Sequence, residues 1–173
     1  MSFDEFLQRI ESPRLRAVAT HWNDARGARR MPGWSDIDPA AIARQLPIVW
    51  AWIYDRAADR FTGRLAGEEI NAAFGKSLRG ADMAEFFRDF EYETILQRYR
   101  RIVNEPCFFH GEGQVFLHAR RVGFGERVIL PLAADGETAD GLFGATLYAY
   151  SPSGLPADPV IRKGQTVTFV PLA

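Results

Sequence analysis

Cys107 is the only cysteine, and His21, His110 and His118 are the only histidines. Thiolate and imidazole chemistry therefore have few places to sit. One thiol can neither close an internal disulfide nor build a multi-thiolate zinc site. Following Pro106, Cys107 reads as a small, partly buried filler. His110 and His118 could face one another across a hairpin, with Glu112 near enough to complete a ligand set, but only convergence in the fold would make that a metal site. The later Pro-Cys-x-x-Cys that deaminase-type zinc chemistry needs is absent. No Gly-x-Ser-x-Gly, P-loop or dinucleotide Gly-x-Gly-x-x-Gly occurs, and Gly123-Phe124-Gly125 reads as a turn. The acids are plentiful but form no pair poised for acid/base work. These residues point to binding rather than to catalysis and specify no cofactor, with a small enzyme on an α+β scaffold as the remaining alternative.

The aromatic residues carry more information. Trp50, Trp52 and Tyr54 share one parity along an apolar run, so on a strand all three point to the same face. Phe61 on the next strand, and Tyr92, Leu96 and Tyr99 at helical spacing, are the groups able to meet that face. Phe74, Phe86 and Phe87 would roof it. Two readings stay open: a filled aromatic core, or a ligand cavity lined by these rings with Arg64 as anchor for a carboxylate or phosphate. Arg64 is out of parity with Phe61, which also allows it to face solvent.

The formal net charge is −1, with 47% hydrophobic and 25% charged residues. That balance suits a globular core and gives no general field favouring nucleic acid or an anionic membrane. Arg26 to Arg30 and Arg98 to Arg101 are the local basic clusters. They read as solvated faces or ion-pair partners, with a docking role for Arg29-Arg30-Met31-Pro32 as the alternative. The acidic start, and the absence of any apolar run of membrane-spanning length, lead us to expect a cytoplasmic protein.

Elements to position these groups follow from periodicity. Phe3/Phe6/Leu7/Ile10 and Leu15/Val18/Ala19/Trp22 mark two amphipathic helices, the second started by Ser12-Pro13 and stopped near Gly27. A short helix is expected over Ala40 to Gln45, closed before Pro47. Strands follow at Ile48 to Tyr54 and around Phe61 to Leu65. Gly67 to Phe87 breaks into single helical turns, and Asp89 to Asn104 forms the longest helix of the core. Strands are expected over Cys107 to His110, Val115 to Arg121, Arg127 to Ala133 and Leu142 to Tyr150, with an optional edge strand at Thr166 to Val170. Hairpin connections imply an antiparallel sheet, here of about five strands, with the core helices on one face: an α+β domain.

The order resembles the PAS fold, and the local sequence is similar to the short bacterial PAS proteins of the PAS_5 type, found mainly in α-proteobacteria. The stretches concerned are Arg29-Arg30-Met31-Pro32 into Asp36-Ile37-Asp38-Pro39, Leu46-Pro47, Arg60-Phe61 through Leu65-Ala66-Gly67, and Phe74-Gly75-Lys76-Ser77-Leu78-Arg79-Gly80. Leu130-Pro131-Leu132 with Asp135-Gly136, and Leu142-Phe143-Gly144-Ala145, extend the likeness to Tyr150. The resemblance implies a sensory or regulatory module without chemistry of its own, binding a small ligand or a regulatory protein. A flavin photosensor of that fold would carry Asn-Cys-Arg-Phe or similar on a mid-domain helix, and nothing between Gly67 and Phe87 matches. Haem-binding members use a histidine on the long helix, and Asp89 to Asn104 has none.

The expected divisions are an N-terminal helical extension over 1–26, a PAS-like domain over 27–150 and a tail over 151–173. One sheet face is left without cover by the core helices. The opening helices could cover it in cis, giving a monomer, or by exchange between two copies, giving the homodimer we expect.

Overall fold

The computed structural model describes residues 2–88, 92–118, 121–149 and 166–172, with the backbone alone at 114–118, 121–124 and 149. The linker expected over Ser151 to Pro159 and the expected helix start at Asp89 lie outside the described residues. Two capped helices open the chain. Ser2 Oγ accepts the Glu5 N–H at 3.2 Å and the Glu5 carboxylate accepts the Ser2 N–H at 2.6 Å, a reciprocal cap that starts α1 (Phe3–Arg9). Ser12 Oγ accepts the Arg14 N–H, and Pro13 sits at the first position of α2 (Pro13–Arg26).

A 3₁₀ turn at Trp34–Asp36 follows. The helix expected over Ala40 to Gln45 is instead a 3₁₀ turn at Ala43–Ile48 that runs through Pro47. A turn this short tolerates proline because only one donor is forfeited. It leads into β1 (Val49–Asp55) and β2 (Arg60–Ala66), joined by a turn in which Asp55 Oδ1 accepts the Ala57 and Ala58 N–H groups. Next come α3 (Glu68–Phe74), α4 (Met83–Phe86) and α5 (Tyr92–Asn104). The chain continues through β3 (Cys107–His118), β4 (Arg121–Leu132), β5 (Gly141–Ala149) and β6 (Thr166–Pro171).

The strands form one antiparallel sheet in the order β2-β1-β5-β4-β3-β6. The sixth strand is the optional edge strand of the sequence reading. The opposite edge, β2, is closed by the loop after α3: Gly63 N–H donates to Ala81 O and Gly80 N–H to Gly63 O, both at 2.8 Å. Glycine is required at 63, because a Cβ there would run into the Leu78 backbone.

Pairing sorts the side chains onto two faces. Trp50, Gly144, Ile129 and Phe109 are paired across β1, β5, β4 and β3, so they share a face, and α5 packs over it. Phe108 is on the other face, where it stacks on Phe6 of α1 and meets Trp22 of α2 edge-on. Helices therefore cover both faces. The N-terminal helices lie on the sheet of their own chain, with Phe6, Ile10, Leu15, Val18 and Trp22 at 0–1% exposure. Trp22 Nε1 donates to the Pro131 carbonyl at 2.8 Å. The apolar face that motivated exchange between copies is thus covered in cis, and residues 2–26 share one hydrophobic core with the rest of the chain.

Candidate functional site

The inner face, between the sheet and α5, gathers the rings. Tyr99 is at their centre: its ring stacks on Trp50 with centroids 5.7 Å apart and meets Phe61 edge-on at 5.7 Å and Trp52 at 6.4 Å. Trp52 in turn contacts Phe86 and Phe87, and Phe74 packs on both of those. Tyr54 stacks on Phe61 at 4.5 Å. Of the expected site residues, Trp50, Trp52, Tyr54, Phe61, Phe74, Leu96 and Tyr99 are buried here, and Tyr92 is half-buried at the start of α5. Strand parity and helical spacing brought these together as anticipated.

Arg64 does not join them. It is exposed and its guanidinium lies 4.6 Å above the ring of Trp34, which packs on Phe143 of the outer face. The cause is the alternation of the strand: Phe61 and Gly63 point inward, so Arg64 points outward. As an anchor for a ligand among the rings, Arg64 is ruled out by its side of the sheet.

The inner face has another cation. Arg127 of β4 is buried, at 6% exposure, and its Nε donates to Thr146 Oγ1 at 2.9 Å. The same hydroxyl accepts Trp50 Nε1 at 2.9 Å, and it is wholly buried. Tyr148 lies near enough to Arg127 and Thr146 for both to bear on its phenol. Among the described residues no carboxylate pairs with Arg127. A buried guanidinium normally has such a partner, because desolvating it is costly. On the same face, the Trp52 indole N–H is buried and makes no hydrogen bond among the described residues. It lies near enough to the Tyr99 phenol to bear on its acidity without completing a bond of normal geometry.

Burial pushes the Tyr99 phenol up to about 12, against a smaller opposing pull from Arg127. Tyr148 is raised for the same reason, with Arg127 again countering. Both phenols stay neutral donors through the physiological range, next to a fixed positive charge. The sequence held only a partial signal for Arg127: it shares parity with the apolar Ile129 and Pro131 that follow it on the strand.

The remaining chemistry-bearing residues take structural posts. His110 Nε2 donates to Glu126 Oε1 at 2.7 Å on the outer face, and His110 and His118 lie along one strand, β3, rather than across a hairpin. Glu126 also accepts the Glu11 N–H at 2.7 Å and the Ser12 N–H at 2.8 Å, fastening the start of α2 to the sheet. Burial acts to raise the Glu126 carboxyl, but the bonds from His110, Ser12 and Glu11 outweigh it and hold the group below its usual range. His21 Nε2 accepts the Asp38 N–H at 3.0 Å. No trio of His, Cys, Asp or Glu able to hold a metal exists among the described residues. Cys107 is buried, and burial pushes its thiol up to about 11, which suppresses thiolate chemistry.

Arg29-Arg30-Met31-Pro32 is tied into the fold by its backbone and by Met31. Met31 is fully buried, its N–H donates to Gly136 O, and Pro32 O accepts the Ala133 N–H. Arg29 pairs with Asp36 at 2.9 Å and reaches back to Ala25 O and Arg26 O at the end of α2.

An antiparallel sheet with a helix laid over one face, an aromatic interior and a buried polar cluster defines a small α+β domain of the sensor-module class. The family model described as PAS domain, PAS_5, matches residues 10–147, and the chain belongs to that family. Its match begins inside the N-terminal helical segment, at the last buried residue of the first apolar stripe, Ile10. No curated protein and no solved structure gives a match. Membership makes the chain a PAS domain, a sensory or regulatory type of module. No helix among the described residues is long and apolar enough to cross a membrane.

Proposed function

We propose that this PAS domain is a ligand-responsive regulator, not an enzyme, that holds a small molecule against the inner face of its sheet and signals through protein contacts. The ligand carries an anionic or strongly accepting group. That group pairs with Arg127 and takes the Trp52 N–H, while its apolar part lies among Trp50, Phe61, Leu96 and Tyr99. The observation that carries the reading is a buried arginine without a carboxylate and, on the same sheet face, a buried donor without a partner, both among the described residues. Supplying an acceptor to such groups yields more than the same contact in water, because the desolvation has already been met in folding. The bacterial, cytoplasmic setting expected from the sequence suits a module of this kind.

A second reading, a ligand-free adaptor of the same fold, is favoured by the ring packing, with centroid separations of 4.5–6.4 Å and nearly every ring buried. Native mass spectrometry of the purified chain, before and after denaturation, separates the two. A retained small molecule that is lost in Arg127→Met supports the sensor. A wild-type mass equal to the bare chain, with no change in folding midpoint across a panel of small organic acids, supports the adaptor instead.

A further inference from the structure

Beyond that inner site, the outer face carries an opening of its own. A cleft of about 340 Å³ lies where β1, β2 and the start of β5 meet, and neither α1 nor α2 lines it. Its walls include Trp34, Ser35, Ile53, Arg64, Leu132 and Asp140. Ile53, in the middle of a strand, is 41% exposed, which is unusual for an aliphatic side chain on a covered sheet face. The volume is near the lower end of the range for small-molecule sites, about 300–1,000 Å³. A ligand of few heavy atoms would fill it.

The charges decide which ligand. Arg64 stacks on Trp34, which fixes its guanidinium, and no carboxylate among the described residues pairs with it. Asp140 Oδ2 accepts the Ala134 N–H at 3.0 Å, which orients the carboxylate and leaves Oδ1 free among the described residues. Ile53 is paired with Thr62 on one side and Gly141 on the other, so Arg64 and Asp140 flank β1 from opposite sides. Two strand spacings across the sheet and an offset of about two and a half residues along β1 separate their backbones by about 13 Å, and both side chains reduce that gap. A site with one fixed cation, one fixed anion and an apolar floor between them matches a small zwitterion.

We propose that this cleft binds an α-amino acid with an aliphatic side chain. Its carboxylate meets Arg64, its ammonium meets Asp140, and its side chain lies against Trp34, Ile53 and Leu132. The test is an NMR titration of the full chain with L-leucine, with 4-methylpentanoate, which lacks the amine, and with 3-methylbutylamine, which lacks the carboxylate. Leucine should give saturable shifts centred on the Trp34 indole and the Ile53 methyls, and each analogue should bind about three- to fivefold more weakly, the range of partly exposed ion pairs. Arg64→Met and Asp140→Asn should each weaken leucine by a similar factor; the amide oxygen of the substituted side chain still accepts the Ala134 N–H, so the fold survives. No saturation at Trp34 and Ile53 up to about 20 mM leucine overturns the proposal. So does equal binding of the deaminated acid, or shifts confined to Trp50 and Tyr99, which would place leucine at the inner site.

Discussion

The inner and outer faces of the sheet treat their polar groups differently. On the outer face, beneath α1 and α2, buried polar groups are matched: the Trp22 N–H reaches the Pro131 carbonyl, and Glu126 serves His110, Glu11 and Ser12 together. On the inner face, beneath α5, Trp50 and Arg127 share one hydroxyl, Arg127 has no carboxylate among the described residues, and the Trp52 N–H is unmet. Matched burial is what a permanent cover needs, because each unpaired buried group would cost about 1–3 kcal/mol. Unmatched burial persists where something else completes it. In the function proposed above, the outer face under the N-terminal helices serves stability and the inner face serves recognition.

Removing the outer cover should have the largest effect. A chain beginning at Gly27 loses Phe6, Ile10, Leu15, Val18 and Trp22 from the core and exposes the apolar face they cover. We expect loss of cooperative unfolding and aggregation, read by circular dichroism and sedimentation. A truncated chain that unfolds at the wild-type midpoint would show the cover to be dispensable, and a wild-type dimer that becomes monomeric on truncation would support exchange between copies.

Gly144→Val attacks the inner face from the sheet side. A Cβ at 144 would run into the Trp50 indole, displacing it from Thr146 and from Tyr99. Overpacking of this kind costs about 1–3 kcal/mol. Urea denaturation should show that loss, with Trp50 fluorescence altered in the folded state. An unchanged midpoint would mean that the inner face has room to spare beside Trp50.

Acid and alkali should separate the faces. Tyr99, pushed up to about 12, and Tyr148, also raised, are neutral in the folded chain at pH values where an unfolded tyrosine ionises. Their contribution is complete below about pH 10 and is lost as pH rises through the folded values. Glu126 is the reverse case: its lowered carboxyl contributes stability above its ordinary value of 4.5, lost as pH falls through the folded value. Asp59, Asp82 and Asp135 are lowered too and add to the acid side. Glu126→Gln should therefore lower stability at neutral pH by about 1–3 kcal/mol and flatten the acid limb only in part. Tyr99→Phe should flatten the alkaline limb. An acid limb identical in wild type and Glu126→Gln would dissociate this carboxylate from the holding of α2.

The smallest effect belongs to Trp52→Phe, and its sign is the informative part. Deleting a buried donor that lacks a partner relieves about 1 kcal/mol, offset by the smaller ring's lost packing. Thermal melting of ligand-free protein should move little in either direction, while retention of the inner-face ligand should fall. A large loss of stability without ligand would show that the N–H is satisfied in the folded chain and would remove one of the two supports for an inner site.

Local order was legible in the residues themselves. The parity of Trp50, Trp52 and Tyr54 set one face of β1, the spacing of Leu96, Tyr99, Ile102 and Val103 set the buried stripe of α5, and Ser12-Pro13 started α2 where expected. Each of those signals acts over a few bonds, through backbone geometry and the period of a single element. What needed the tertiary structure was which elements meet. Arg127 reads as one more strand residue until β4 is paired with β5, beside Thr146 and opposite Tyr99. Arg64 reads as an anchor until the fold puts Trp34, not the ring cluster, beneath it. The cis packing of α1 and α2 depended on Phe108 and Pro131, roughly a hundred residues away. Alternation tells which side chains of one strand agree with one another. It does not tell which side of the sheet another element will choose, because that choice is made by the total burial and hydrogen bonding of the whole chain.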